Sequence, residues 1–343
     1  MKHIVFYSGG LGSWATAKRV IDRYGKEDVI CLFTDTLIED DDLYRFLLET
    51  TQEMYGVEQT DLIERTKHIP ETSHETMEDR KLFLKQLSED TNKRNPNFIW
   101  INDGRDPWDV FKDVRFLGNS RLANCSHELK QKMSQKWIKE NFTSEECTLY
   151  LGIDWTEEHR VKAPKKNWAP YRVEFPMCEE PLWTKIDMAK LLEQTEIERP
   201  KLYEQGFSHN NCGGFCVRAG QGHFAQLWEV KPRLYMYHEE REQEMRHFLG
   251  RDVSILSKTK TIDEWVEPKK YDRETLEKDS ELYDQFEKGM LEAEAEEVVI
   301  PGYYRKRSTK MPFTLKELRH ELERGGEQVD MFDIGGCGCF VDF

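Results

Sequence analysis

The chain predicts an α/β fold: a mostly parallel, doubly wound sheet with helices on both faces, followed by a helical C-terminal extension. Three observations carry this. Ile4-Val5-Phe6-Tyr7 is a short apolar run containing β-formers. It leads into the small-residue turn Ser8-Gly9-Gly10-Leu11-Gly12-Ser13 and a helical pattern from Trp14 to Tyr24. Val29-Ile30-Cys31-Leu32-Phe33 repeats the strand, ends at Thr34-Asp35-Thr36 and precedes an amphipathic helix over 39–55. Thr148 to Ile153 is a further strong strand. Strands joined by helices imply parallel neighbours, and ligands of such sheets sit at the carboxyl ends of the strands. The Ser8–Ser13 turn and Asp35 are therefore expected to line one crevice.

The whole chain bounds what it can be. Its 343 residues suffice for one or two domains. The expected division is a first domain over 1–250 and a helical extension with a cysteine tail over 251–343. Hydrophobic residues at 38% and charged residues at 34% describe a soluble globular protein. No apolar run has the length of a membrane span. Met1-Lys2-His3 leads straight into a strand, leaving no room for a signal peptide, so a cytoplasmic protein is expected. The net charge of −15 repels nucleic acid overall, so such a partner needs a local basic patch.

Strand, glycine turn and helix together make the layout of a phosphate cradle. Glycines let the backbone approach an anion, and the free N–H groups of the helix start face it with the positive end of the dipole. Ser8 and Ser13 add hydroxyl donors beside Gly9, Gly10 and Gly12. No Gly-Lys-Ser/Thr ends the loop, so the Walker pattern is absent, and the dinucleotide pattern fails on spacing.

Further along, residues 60–66 are expected to form a third strand, 70–80 a polar loop, 81–87 a helix and 98–101 another short strand. A helix is expected from the Leu129-Lys130 step, just after Cys125, to about Asn141. Arg160, Lys162, Lys165 and Lys166 read as a solvated loop or an anion funnel. Residues 239–249 and the acidic stretch 272–297 read as helices. Arg305 to Lys310 is a strong basic cluster beside Tyr303 and Tyr304. It suits nucleic-acid phosphates with stacking, or a solvated loop.

The eight cysteines include two tight pairs, Cys212 with Cys216 and Cys337 with Cys339. Thiolates so spaced among glycines suit zinc, an iron–sulfur cluster or redox work. Cys31, inside a predicted strand, is expected to be plain core.

Ser8-Gly9-Gly10-x-x-Ser13 resembles the PP-loop of the adenine-nucleotide alpha-hydrolase superfamily, which holds ATP pyrophosphatases, sulfurtransferases and phosphoadenosine phosphosulfate (PAPS) reductases. More points in order are similar to the PAPS reductase family: Phe33-Thr34-Asp35-Thr36 with Glu39 and Tyr44-Arg45-Phe46; Cys125 before Leu129-Lys130; Gly152-Ile153 with Arg160; Pro181-Leu182; and Leu202-Tyr203 with Gly206-Phe207 before Cys212 and Cys216. The resemblance covers roughly residues 1–240.

It implies that ATP or a related adenine nucleotide, with magnesium, binds at Ser8, Gly9, Gly10, Gly12, Ser13, Asp35 and Gly152. Lys130 would meet a phosphate or sulfate, and Cys337 or Cys339 would be a tail nucleophile. Cys125, Cys212 and Cys216 would hold a [4Fe–4S] cluster. A zinc site of Cys212, Cys216, Cys337 and Cys339 and a set of inert thiols stay open as alternatives. The implied activity is adenylation-linked sulfur transfer, or reduction of a sulfated nucleotide. The other class left open is a regulatory or sensor module that binds nucleotide without turnover and carries structural zinc. Expected partners are the nucleotide, a sulfur donor or thiol-reductant protein, a nucleic-acid acceptor at Arg305–Lys310 and a second copy of the chain, with no membrane. The chain departs from the pattern at several points, among them a slightly rearranged Pro181-Leu182 step and two closely spaced tail cysteines, Cys337 and Cys339, in place of the usual single one. Gly12 stands where most pyrophosphatases have Asp, and Asp154 replaces an arginine. Three residues rather than two separate Cys212 from Cys216, and Cys125 stands alone where adenosine phosphosulfate reductases have adjacent cysteines.

Overall fold

The computed structural model describes residues 1–267, 269–272, 292–294, 297–300 and 302–325. Two compact units divide the chain: Met1–Leu256 together with the segment from Phe313 onward, and Ser257–Pro312.

The first unit is built on a five-stranded sheet in the order β3-β2-β1-β4-β5. Its strands are β1 (Lys2–Phe6), β2 (Val29–Asp35), β3 (Phe98–Asn102), β4 (Cys147–Tyr150) and β5 (Arg172–Glu174). Every neighbouring pair is parallel, with Ile4 opposite Ile30, Val5 opposite Tyr150, Cys31 opposite Phe98 and Leu149 opposite Val173. The α/β expectation is met. β2 is buried along its whole length, which suits its continuous apolar run. Side chains of β1 alternate between two cores. Val5 and Tyr7 pack with Trp14, Phe33 and Phe46 on one face, while Ile4 and Phe6 pack with Leu149, Ile138 and Trp168 on the other.

The helices that shape the site are α1 (Leu11–Tyr24), α2 (Asp41–Tyr55), α3 (Thr60–Thr66), α4 (Met77–Arg94), α5 (Pro107–Asp113), α6 (Met133–Asn141), α7 (Lys162–Asn167), α8 (Lys185–Glu193), α9 (Lys201–Glu204), α10 (Gln221–Val230) and α11 (Pro232–Leu249). A π-helical stretch, Ser126–Lys132, runs into α6 just after Cys125, as the Leu-Lys reading expected.

Two expectations are corrected. Residues 60–66 form helix α3, not a strand: Leu62 and Thr66 are its buried positions, a spacing of four that belongs to a helix. The stretch after 250 is not a helical extension in its described part. It contributes β6 (Leu256–Val266), β7 (Lys269–Asp272), β8 (Glu292–Glu294), β9 (Glu297–Ile300) and β10 (Tyr303–Phe313). β6 pairs with β10, and β8 and β7 flank β9 in an antiparallel sheet. The β-branched and aromatic residues of Thr259-x-Thr261-Ile262 and Tyr303-Tyr304 favour this outcome. One helix does follow, α12 (Leu315–Glu323), capped by Thr314 and Glu317. The acidic stretch 272–297 falls mostly outside the described residues. Among the described residues no helix is long and apolar enough to cross a membrane.

Candidate functional site

The strand order reverses between β1 and β4, and such a switch point opens a crevice at the carboxyl ends of those two strands. The glycine loop leaves β1 there. Gly9 has φ +75, and a Cβ on it would meet the Leu43 side chain at 2.8 Å, so the bend needs glycine. Gly10 caps α1 with no side-chain bond. The first-turn N–H groups of α1 therefore have no helix-internal acceptor. Ser13 Oγ donates to the Gly10 carbonyl at 2.8 Å, and Ser8 Oγ to Ser13 Oγ at 3.3 Å.

Gly152, just past β4, lies directly on this turn. A Cβ there would stand 3.2 Å from the Gly12 carbonyl and from Thr16 Oγ1. Seen from the other side, a Cβ on Gly12 would meet the Gly152 carbonyl at 3.6 Å, an ordinary contact. Ser8, Gly9, Gly10, Gly12, Ser13 and Gly152 are thus brought together.

A segment 200 residues away in sequence closes the loop's rim. The Tyr203 hydroxyl accepts the Leu11 N–H at 3.2 Å, so it occupies one donor of the cradle. Asn210 donates from Nδ2 to the Gly9 carbonyl at 2.9 Å, while its buried Oδ1 has no partner among the described residues. The sequence singled out neither residue as a site residue, although the Leu202-Tyr203-x-x-Gly206-Phe207 run already marked the segment.

Asp35 is at the end of β2 as expected but does not line the crevice. It is wholly buried. Oδ1 accepts the Leu37 N–H at 2.7 Å and the Tyr44 hydroxyl at 2.9 Å, and Oδ2 accepts Trp100 Nε1 at 3.0 Å. Burial pushes its pKa up to about 6, helped by the neighbouring Glu39 charge and opposed by the three donors. It fixes the turn into α2.

Lys130 also has another partner than the expected phosphate. It is 2% exposed, and its ammonium donates to Glu39 Oε1 at 3.1 Å. Glu39 is equally buried, takes the Thr36 hydroxyl on the same oxygen at 3.0 Å and accepts the Cys212 N–H on Oε2. Lys130 also lines a small cavity of about 20 Å³, together with Cys125, Cys212 and Cys216. The three cysteines named from the sequence do converge. A cavity this small holds about one water, not a cubane cluster. Among the described residues no group of three or more His, Cys, Asp or Glu side chains could hold a metal ion. The thiols as arranged do not fit the implied metal or cluster. Cys337 and Cys339, the other candidate ligands and the expected tail nucleophiles, lie outside the described residues.

His209 and His223 stack beside the cysteine segment, with ring centroids 5.2 Å apart. His223 Nε2 bonds the Gly214 carbonyl at 2.7 Å. Burial, then the charges of His223, Lys130 and Lys185, push His209 down to about 3, which leaves a neutral imidazole at pH 7. Cys31 is core as expected: burial raises its thiol to about 12. The Arg305–Lys310 cluster lies on strand β10, not in a loop, and Arg305 and Arg307 share Glu264.

Comparison of the chain with protein-family models, curated proteins and solved structures gave no match in any of the three.

Proposed function

We propose that this chain is a PP-loop-type enzyme that binds ATP or a related adenine nucleotide and couples it to sulfur chemistry. The observation that carries this reading is the N-terminus of α1 at the β1/β4 switch point, which Gly10 leaves without a side-chain cap and which Ser8, Ser13 and the Gly12–Gly152 backbone contact frame. Backbone N–H groups fixed in this way stabilise negative charge that develops on a leaving pyrophosphate. The resemblance to PAPS reductases over residues 1–240 supplies the nucleotide class and the sulfur chemistry.

In this reading the nucleotide's phosphates displace the Tyr203 hydroxyl from the Leu11 N–H. Adenylation of an acceptor oxygen then makes it a leaving group for a sulfur nucleophile. Reduction of a sulfated nucleotide by a tail thiolate is the variant that the family resemblance also allows. No step runs through a metal cluster. Gly12 leaves the loop without the carboxylate that would help hold magnesium on pyrophosphate. That same feature favours a second reading, a nucleotide-binding module without turnover.

Two measurements separate these. Calorimetry with ATP reports binding, and pyrophosphate release with candidate acceptors reports turnover. Binding with no pyrophosphate release under any acceptor or thiol supports the module. Absence of binding removes both.

A further inference from the structure

We infer that the ribbon of β6 and β10 is a binding arm for an unpaired RNA strand, an assignment that is independent of the nucleotide site. In a chain of net charge −15, these two strands carry Lys258, Lys260, Arg305, Lys306, Arg307 and Lys310 against only Asp263 and Glu264. Local basic charge of this kind is the electrostatic footprint of a phosphate backbone.

Side chains alternate across the ribbon, which gives it two chemically distinct faces. Arg305 and Arg307 each meet Glu264 at 2.9 Å, which places these three on one face with Lys260 and Ile262. Two guanidinium groups sharing one carboxylate leave that face positive. The other face carries Trp265 and Tyr304, whose rings lie 5.0 Å apart, with Lys306 and Lys310 beside Tyr304 and Asp263 beside Trp265 in alternation. Tyr304 is 71% exposed and Trp265 is 45% exposed. Large aromatic rings left in water beside lysines form a stacking platform with phosphate anchors.

The Trp265 indole is seated rather than free. A Cβ at Gly302 would overlap its six-membered ring, so glycine at that position lets the ring lie on the backbone. A held ring loses little entropy when a base stacks on it. Thr259, Thr261 and Ser308 share this face by alternation and offer hydroxyl partners for a ribose 2′-OH, which is why RNA rather than DNA is the occupant assigned. A duplex would hide its base faces from the ring pair.

The test uses the full-length chain and fluorescence anisotropy with a labelled single-stranded 12-mer RNA. The arms are single-stranded DNA of the same sequence and the corresponding RNA duplex. The expected result is tightest binding to the single-stranded RNA, with affinity falling steeply as salt rises. Tyr304→Ala with Trp265→Ala should weaken binding about tenfold or more. Tyr304→Phe, which keeps the ring, should restore most of it. Lys306→Gln with Lys310→Gln should flatten the salt dependence, whereas Lys162→Gln with Lys166→Gln on α7 should not. Circular dichroism and a thermal melt confirm that each variant is folded. The assignment is overturned by no RNA binding, by equal or tighter binding of DNA or duplex, or by full affinity in the folded aromatic double variant. A dimer of the chain that dissolves in that variant, without RNA binding, would also overturn it.

Discussion

Lys130 Nζ stands 3.1 Å from Glu39 Oε1, and both side chains are shut off from water. The pair joins the loop after β2 to the helix that follows Cys125, and through the Cys212 N–H it also fixes the cysteine segment. Removing one partner of such a pair strands a buried charge, which costs about 3–5 kcal/mol. Lys130→Met should therefore lower stability in urea by that order. The double variant Lys130→Met with Glu39→Gln should lose less than the sum of the two single variants. If Lys130→Met instead kept wild-type stability and lost nucleotide affinity, Lys130 would be the phosphate ligand that its sequence context suggested.

Gly12 and Gly152 touch, yet they should respond oppositely to substitution. At Gly12 a Cβ meets only the Gly152 carbonyl at an ordinary 3.6 Å, and the residue lies in the first turn of α1. Gly12→Asp gains helix propensity and a favourable dipole position, worth roughly 1 kcal/mol in melting experiments. Its carboxylate should also make ATP affinity depend on magnesium. Gly152→Ala forces a Cβ to 3.2 Å from the Gly12 backbone, so thermal stability should fall and the cradle should loosen. A Gly152→Ala protein with unchanged melting and unchanged affinity would mean that this contact does not shape the site.

Glu242 is wholly buried and accepts the Ile255 N–H at 2.9 Å and the Leu315 N–H at 2.7 Å. It ties α11 to both ends of the excursion that β6 begins and β10 finishes. Burial raises its pKa from 4.5 to about 7, against the pull of the two N–H donors. The folded chain therefore binds this proton more tightly than the unfolded chain does. Its contribution is fully present below pH 4.5 and is lost as pH rises through 7. Asp35, raised to about 6, acts in the same sense. Urea midpoints should fall across this window. Glu242→Gln should reduce the slope while lowering stability by about 1–3 kcal/mol, because an amide offers one acceptor oxygen to two buried N–H groups. A slope unchanged in Glu242→Gln would assign the pH dependence elsewhere.

The parallel sheet was legible because its central strands are continuous apolar runs and each ends at small or polar residues. The glycine loop was legible for the same reason: its chemistry is local and contiguous. Convergence of Cys125 with Cys212 and Cys216 was also readable, since both follow loops at one edge of the sheet. The partners of those residues were not. Asp35 and Lys130 look like ligand groups in one dimension, and only tertiary packing supplies Tyr44, Trp100 and Glu39 to satisfy them. Tyr203 and Asn210 reach the loop from 192 and 201 residues downstream, a distance over which spacing carries no signal. Strands β6 and β10 were missed because a ribbon exposed along most of its length lacks the alternation of a half-buried strand.

The central claim is that the Ser8–Ser13 loop holds the phosphates of an adenine nucleotide, and calorimetric titration of the full chain with ATP tests it most directly. Tyr203 gives the experiment its internal control, because its hydroxyl already sits on the Leu11 N–H and 3.2 Å from where a Gly10 Cβ would be. The account predicts one saturable site in the wild type and tighter binding in Tyr203→Phe, which frees the donor. It also predicts no detectable binding in Gly10→Glu, which puts bulk and negative charge into the cradle while circular dichroism stays native. ATP binding that is unchanged in a folded Gly10→Glu protein would contradict it.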